Sequence, residues 1–129
     1  MNSNIYFFPF LISMNMLVKP LTGILGLVLT IVGIAGFFVP GMLLVFEVDT
    51  IHNIIHLASG LIALFAFNSS QSASRSFLIL FGLIYGAVTV IGFAMAGKIL
   101  GLFMVNDADN WLHLGITAAC LLVGFGSRK

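Results

Sequence analysis

Residues 49–60 read DTIHNIIHLASG, and residues 106–115 read NDADNWLHLG. Each stretch places a few polar side chains at the head of a strongly apolar segment. Side chains four residues apart lie on the same face of a helix. We therefore expect His52 to project beside His56, and Asp109 beside His113. The fold is decided by the apolar segments that begin with these two stretches.

The composition of the chain indicates a membrane protein. The 129 residues are 60% hydrophobic and only 7% charged, whereas soluble domains carry roughly 25% charged residues. Too few polar groups are present to cover a surface that faces water, so the predicted partner is the lipid bilayer. The net charge of +1 gives no signal for nucleic-acid binding. The single cysteine, Cys120, excludes an internal disulfide.

The apolar runs are continuous and of helix length, which favours helices over alternating strands. We expect four spans, bounded by the polar loops between them, at residues 18–39, 51–67, 77–96 and 110–125. The predicted fold is therefore all-α: an integral membrane four-helix bundle. Residues 18–129 form its four-transmembrane-helix domain.

Residues 1–17 are set apart as an N-terminal tail, either interfacial or disordered. Their apolar part is 13 residues long and is interrupted by Pro9, whereas a span needs about 20 residues. An alternative interpretation places the native start at Met14 or Met16, in which case the tail does not belong to the native protein.

The distribution of basic residues predicts the orientation of the chain. Cytoplasmic loops carry the excess of Lys and Arg. One predicted side holds four basic residues and the other holds only Lys98; the four are Lys19, Arg75, Arg128 and Lys129. This asymmetry predicts that both termini are cytoplasmic (N-in, C-in).

The chain also repeats with a period of about 57 residues. The motif Asn-x-x-His-Leu occurs at Asn53 and again at Asn110, and glycines earlier in each half match at an offset of 56. We expect two tandem helical hairpins, at about residues 18–68 and 75–126, related by a pseudo-two-fold axis along the membrane normal.

The segments GFFVPG (36–41), VDTIHNIIHLASGL (48–61), GLIYG (82–86) and VNDADNWLHLG (105–115) resemble a family of bacterial four-span membrane proteins, domain-of-unknown-function family 4383. The resemblance extends over residues 18–125. It implies four spans and a bacterial inner membrane, and it brings no activity.

The polar residues suggest a metal site near the outer face. Imidazole and carboxylate together suit zinc, copper or iron, so the predicted ligands are His52, His56, Asp109 and His113. Asn53 and Asn110 are predicted to support them. An alternative cofactor is a haem, with His56 and His113 as its axial ligands. The interpretation that we favour from the sequence is structural: His56 and His113 act as staples that each hydrogen-bond a backbone carbonyl or an asparagine of a neighbouring helix, and His52 is solvated near the water boundary.

Three functions stay open on this basis. The preferred one is a structural or accessory role, as a homo-oligomer or within a larger membrane complex. The second is a metal- or haem-binding membrane protein with possible redox activity, and the third is a pathway for small solutes or protons. The chain has no phosphate loop, nucleophile–base pair or hydrolase motif, which disfavours an enzyme.

Overall fold

Four long helices make up most of the chain. The computed structural model describes residues 4–95 and 97–128, with side chains at 9, 10, 12–95 and 97–128. The helices are α1 (Asn4–Gly36), α2 (Thr50–Ser69), α3 (Gln71–Ala94) and α4 (Asp107–Gly126). Each is long and apolar enough to cross a membrane, α1 over Ile12–Gly36. The predicted all-α four-helix fold is confirmed, and the chain is a multi-pass membrane protein.

Helix α1 continues through the segment that the sequence sets apart as a tail. It includes Pro9 as well as Pro20. The Asn15 carbonyl accepts a hydrogen bond from Gln71 Nε2 at 2.6 Å, and Asn15 Oδ1 accepts one from the Arg128 N–H at 2.8 Å. These bonds hold α1 against the ends of α3 and α4, so this part of the predicted tail is docked on the bundle.

The polar segment 68–76 is helical at both ends instead of forming the predicted loop. Helix α2 ends at Ser69 and α3 begins at Gln71, so Ser70 alone separates them. Ser70 is extended; its N–H donates to the Ala66 carbonyl, and its side chain accepts from the Ala73 N–H at 3.0 Å. One serine thereby caps both helices: its N–H bonds the last turn of α2, and its hydroxyl replaces a missing intrahelical acceptor in the first turn of α3.

Two short antiparallel hairpins, which the sequence did not predict, join the other helices. They consist of β1 (Gly41–Leu43) with β2 (Phe46–Val48), and of β3 (Lys98–Ile99) with β4 (Phe103–Met104). Residues 44–45 turn the first hairpin and residues 100–102 turn the second. Leu44 and Leu100 both have positive φ, 59° and 47°, a backbone region that few non-glycine residues adopt.

The extra turn residue explains why the offset between the halves changes from 56 to 57. Gly41 and Gly97 have φ of 87° and 89° and stand 56 residues apart, as do Leu44 and Leu100. Phe46 and Phe103, which follow the turns, stand 57 apart. Each half is thus a helix, a hairpin and a helix. These correspondences support the predicted repeat; the repeat and the N-in, C-in orientation stay predictions.

The helices pack chiefly in sequential pairs, α1 on α2 and α3 on α4. Glycines allow the backbones of the first pair to approach closely: a Cβ at Gly33 would stand 2.6 Å from the Leu57 nitrogen. The hydrophobic effect does not drive helices together in lipid. Close packing at small residues supplies the attraction instead. The buried core runs along the bundle through Val18, Leu29, Ala63, Leu78, Phe81 and Cys120. A second cluster is formed by buried residues of the second hairpin and of the segment that follows it: Ile99, Phe103 and Val105.

Candidate metal centre

The chain has three histidines, and the fold brings all of them together. His52 and His56 lie one turn apart on α2, and His113 reaches them from α4. One ring nitrogen from each lies within 4.8 Å of the other two. The ring centroids are 4.4 Å apart for His52 and His56, 6.0 Å for His52 and His113, and 6.3 Å for His56 and His113. We call this group the histidine cluster.

Caps at the N-terminal ends of α2 and α4 fix the position of the histidine cluster along the bundle. Asp49 caps α2, and its Oδ1 accepts the His52 N–H at 2.9 Å. Asn106 caps α4 in a capping box with Asp109: its Oδ1 accepts the Asp109 N–H at 3.0 Å, and Asp109 Oδ2 accepts the Asn106 N–H at 2.9 Å. These bonds satisfy backbone donors that have no intrahelical partner.

The same carboxylates tie each half of the chain to the hairpin of the other half. Asp49 Oδ2 accepts the N–H of Met104 in β4 at 2.6 Å, and Asp109 Oδ2 accepts the N–H of Glu47 in β2 at 3.0 Å. Burial acts to raise the pKa of Asp49, but the N–H groups of His52 and Met104 outweigh it and hold that pKa below its usual value. We call this pair of bonds the carboxylate latch.

Several nitrogens of the cluster have no protein partner. His52 is 1% exposed and His113 3% exposed, and His56 is half-buried. Within the described part of the chain, nothing hydrogen-bonds to either ring nitrogen of His52 or to Nδ1 of His56 and His113. An unsatisfied buried polar group costs about 1–3 kcal/mol, and native interiors contain few of them. The staple interpretation requires hydrogen bonds that the described residues do not make.

Asp109 lies beside the cluster without joining it. Its side chain is 2% exposed, and the group of mutually close ligand atoms comprises the three histidines alone. Asp109, His56 and His113 nevertheless line one cavity of about 170 Å³ between α1 and α4. With Oδ2 held by two backbone donors, the carboxylate is placed to balance positive charge near the imidazoles.

Asn53 and Asn110 each contact the helix that precedes their own. A Cβ added at Gly36 would overlap Asn53 Oδ1, and one at Gly92 would overlap Asn110 Oδ1. Each amide oxygen therefore rests on the backbone of the preceding helix, in the geometry of a weak Cα–H···O contact. Neither makes a hydrogen bond to a histidine among the bonds of the described residues. They act as spacers that set α2 against α1 and α4 against α3.

Comparison with known proteins identifies the family. The family model described as "Domain of unknown function (DUF4383)" matches residues 19–126. The chain belongs to this family. The description assigns no activity, and no curated protein or solved structure matches the chain significantly. Family membership therefore supports the four-span fold and leaves the chemistry to be argued from the cluster.

Two aromatic residues of the site were not predicted as part of it. Tyr85 on α3 meets the His113 ring edge-on, with centroids 5.3 Å apart, and Phe103 in β4 lies 5.3 Å from the His52 ring. The Tyr85 hydroxyl is buried and makes no hydrogen bond within the described residues. The one signal in the sequence for Tyr85 was its position in the middle of a span, where a buried hydroxyl normally needs a hydrogen-bond partner.

The arrangement suits one metal ion better than a haem. Ligands about 2.0–2.1 Å from zinc stand about 3.4 Å apart in a tetrahedron. The nitrogens, at most 4.8 Å apart, need to close by no more than about 1.4 Å. A haem between His56 and His113 would meet the His52 ring, whose centroid is 4.4 Å from that of His56. The 170 Å³ cavity is also below the roughly 300–1,000 Å³ of ordinary ligand pockets.

Proposed function

We propose that this protein binds one transition-metal ion inside the membrane, through His52, His56 and His113. The observation that carries the proposal is the convergence of the only three histidines, from two helices, to within 4.8 Å. Neutral imidazoles are ligands for zinc, copper and iron. A structural role for the histidines alone does not require them to meet.

The unpartnered nitrogens support an ion over helix stapling. A staple gains stability from hydrogen bonds between helices, and four cluster nitrogens have none within the described residues. A coordinated ion satisfies one nitrogen of each ring at once. Three ligands leave a tetrahedral ion with a fourth position, which is typical of catalytic rather than structural zinc sites.

Charge balance also favours a cation here. A charge within a membrane is costly unless it is paired. Asp109, in the same cavity as His56 and His113, supplies a negative charge next to the site. It is held by the latch, so its position does not depend on the ion.

The site belongs near the extracytoplasmic face in the predicted orientation. His52 is the third residue of α2 and His56 the seventh, so they lie about 3–9 Å into the helix at 1.5 Å per residue. We place the protein in a bacterial inner membrane. Two other functions stay predictions: an accessory role in a larger complex or homo-oligomer, and a pathway for solutes or protons. The metal site neither requires nor excludes them.

The test is metal content. Protein purified in detergent is dialysed against micromolar Zn²⁺ or Cu²⁺, washed, and measured by mass spectrometry of the metal. We expect close to one ion per chain in the wild type, none in a His56→Ala/His113→Ala double variant, and full retention in Cys120→Ala, which removes the only thiol. Failure of the wild type to retain any metal, or retention by the double variant, would overturn the proposal.

A further inference from the structure

A groove lies between α2 and α3. Helix α2 packs mainly on α1, and α3 mainly on α4. A cavity of about 510 Å³ remains between the α1–α2 pair and the α3–α4 pair. This volume is within the range of small-molecule pockets. The lining is apolar except for hydroxyls, among them Ser59 and Tyr85.

Tyr85 gives the groove a polar end. Its side chain is 5% exposed, and its hydroxyl makes no hydrogen bond within the described residues. Tyr85 lines this groove and also the cavity beside the histidine cluster. The Ser59 hydroxyl lies beside the Tyr85 hydroxyl without meeting the geometry of a hydrogen bond. The buried phenol donor therefore favours a ligand that brings an acceptor oxygen to it.

The depth of Tyr85 restricts which ligand can do this. Helix α3 has 24 residues, about 36 Å at 1.5 Å per residue, and Tyr85 lies about 4 Å from its middle. The ester carbonyls of a phospholipid lie at the edge of a hydrocarbon core about 30 Å thick, so they cannot reach Tyr85. The acceptor must belong to a molecule that dissolves wholly in the membrane.

We propose that the α2–α3 groove binds a membrane-soluble carbonyl compound with a long hydrocarbon tail, of the prenylated quinone class, whose ring carbonyl accepts from the Tyr85 hydroxyl. The groove extends from Ala73 to Tyr85 along α3, about 18 Å, and the tail lies there against Phe77 and Ile62. The ring then lies one side chain away from His113, whose centroid is 5.3 Å from that of Tyr85. Binding itself requires no metal.

The experiment measures binding of radiolabelled decylubiquinone to the protein in phosphatidylcholine nanodiscs, after treatment with EDTA. We expect saturable binding of one molecule per chain, displaced by unlabelled decylubiquinone and not by decylbenzene, which has the tail without the carbonyl. Tyr85→Phe keeps the shape of the ring and removes the donor; it should weaken binding about five- to tenfold, the usual value of one hydrogen bond.

A matched pair of groove variants controls for folding. Ile62 and Ile24 are each 59% exposed, but Ile62 lines this groove and Ile24 lines a different one, between α1 and α2. Ile62→Trp should abolish binding and Ile24→Trp should leave it unchanged. Non-saturable uptake, equal displacement by decylbenzene, or unchanged affinity in Tyr85→Phe would overturn the proposal. Because EDTA has removed metal from the protein beforehand, none of these outcomes bears on the metal site.

Discussion

The Asp49 carboxylate accepts a hydrogen bond from the backbone N–H of Met104, 2.6 Å away and 55 residues later in the chain. The equivalent bond in the other direction joins Asp109 to Glu47, whose N–H lies 3.0 Å from Oδ2. Each half of the molecule therefore places a carboxylate on the hairpin of the other half. This carboxylate latch lies at the N-terminal ends of α2 and α4, about one turn before His52 and His113, and ties the two halves of the chain together there.

Asp49→Asn should lower the thermal unfolding temperature of the detergent-solubilised protein. The two carboxylate oxygens accept from different N–H groups, those of His52 and Met104. The amide keeps one acceptor oxygen, so one bond loses the charge that strengthens it and the other is lost, because Nδ2 cannot accept. We expect a loss of about 1–2 kcal/mol, comparable to that of a helix cap. Asp107→Asn is the matched control, because Asp107 is exposed in the first turn of α4. Equal effects of the two variants would show that only general helix electrostatics matter.

Alanine at Gly36 or Gly92 should destabilise the fold by about 1–3 kcal/mol, the usual cost of overpacking. The added Cβ would overlap Asn53 Oδ1 at one site and Asn110 Oδ1 at the other. Gly115→Ala serves as control, since a Cβ there meets nothing within 4 Å. Combining Gly36→Ala with Asn53→Ala should recover much of the loss. A Gly36→Ala variant as stable as Gly115→Ala would contradict the close contact.

His56→Leu should leave the metal-free protein at least as stable as the wild type. The imidazole Nδ1 is buried without a partner among the described residues, so an apolar side chain of similar size removes a desolvation cost rather than a bond. Ser74→Ala is the contrasting variant, because the Ser74 hydroxyl donates to the Ala66 carbonyl at 3.1 Å; it should lower stability. Both are compared by thermal unfolding in EDTA, and a clear loss in His56→Leu would favour the staple interpretation.

Much of the bundle was predictable, because long apolar runs in a chain with few charges leave little choice but spanning helices. The spacing of four also placed His52 beside His56 correctly. That His113 joins them depends on how the α3–α4 pair packs against the α1–α2 pair, and the shared Asn-x-x-His-Leu motif was the only guide to it. The same motif suggested that Asn53 and Asn110 support the histidines. That role stays a prediction; the structure shows contacts of both amide oxygens with glycines of the preceding helices.

The hairpins could not be read from the sequence for a physical reason. Their strands have two or three residues, too few for an alternating pattern, and their geometry depends on positive φ at Leu44 and Leu100. Nothing local signals a leucine in that conformation. The bond between Asp49 and Met104 could not be predicted either, because it exists only once the two halves are assembled.

The most direct measurement of the central claim is X-ray absorption at the zinc or copper edge of metal-loaded protein, compared between the wild type and Cys120→Ala. The histidine cluster predicts a shell containing three imidazole nitrogens about 2.0–2.1 Å from zinc, with multiple scattering from the rings, identical in both proteins. A sulfur scatterer at about 2.3 Å, or a shell of light oxygen atoms without imidazole scattering, would contradict a three-histidine site.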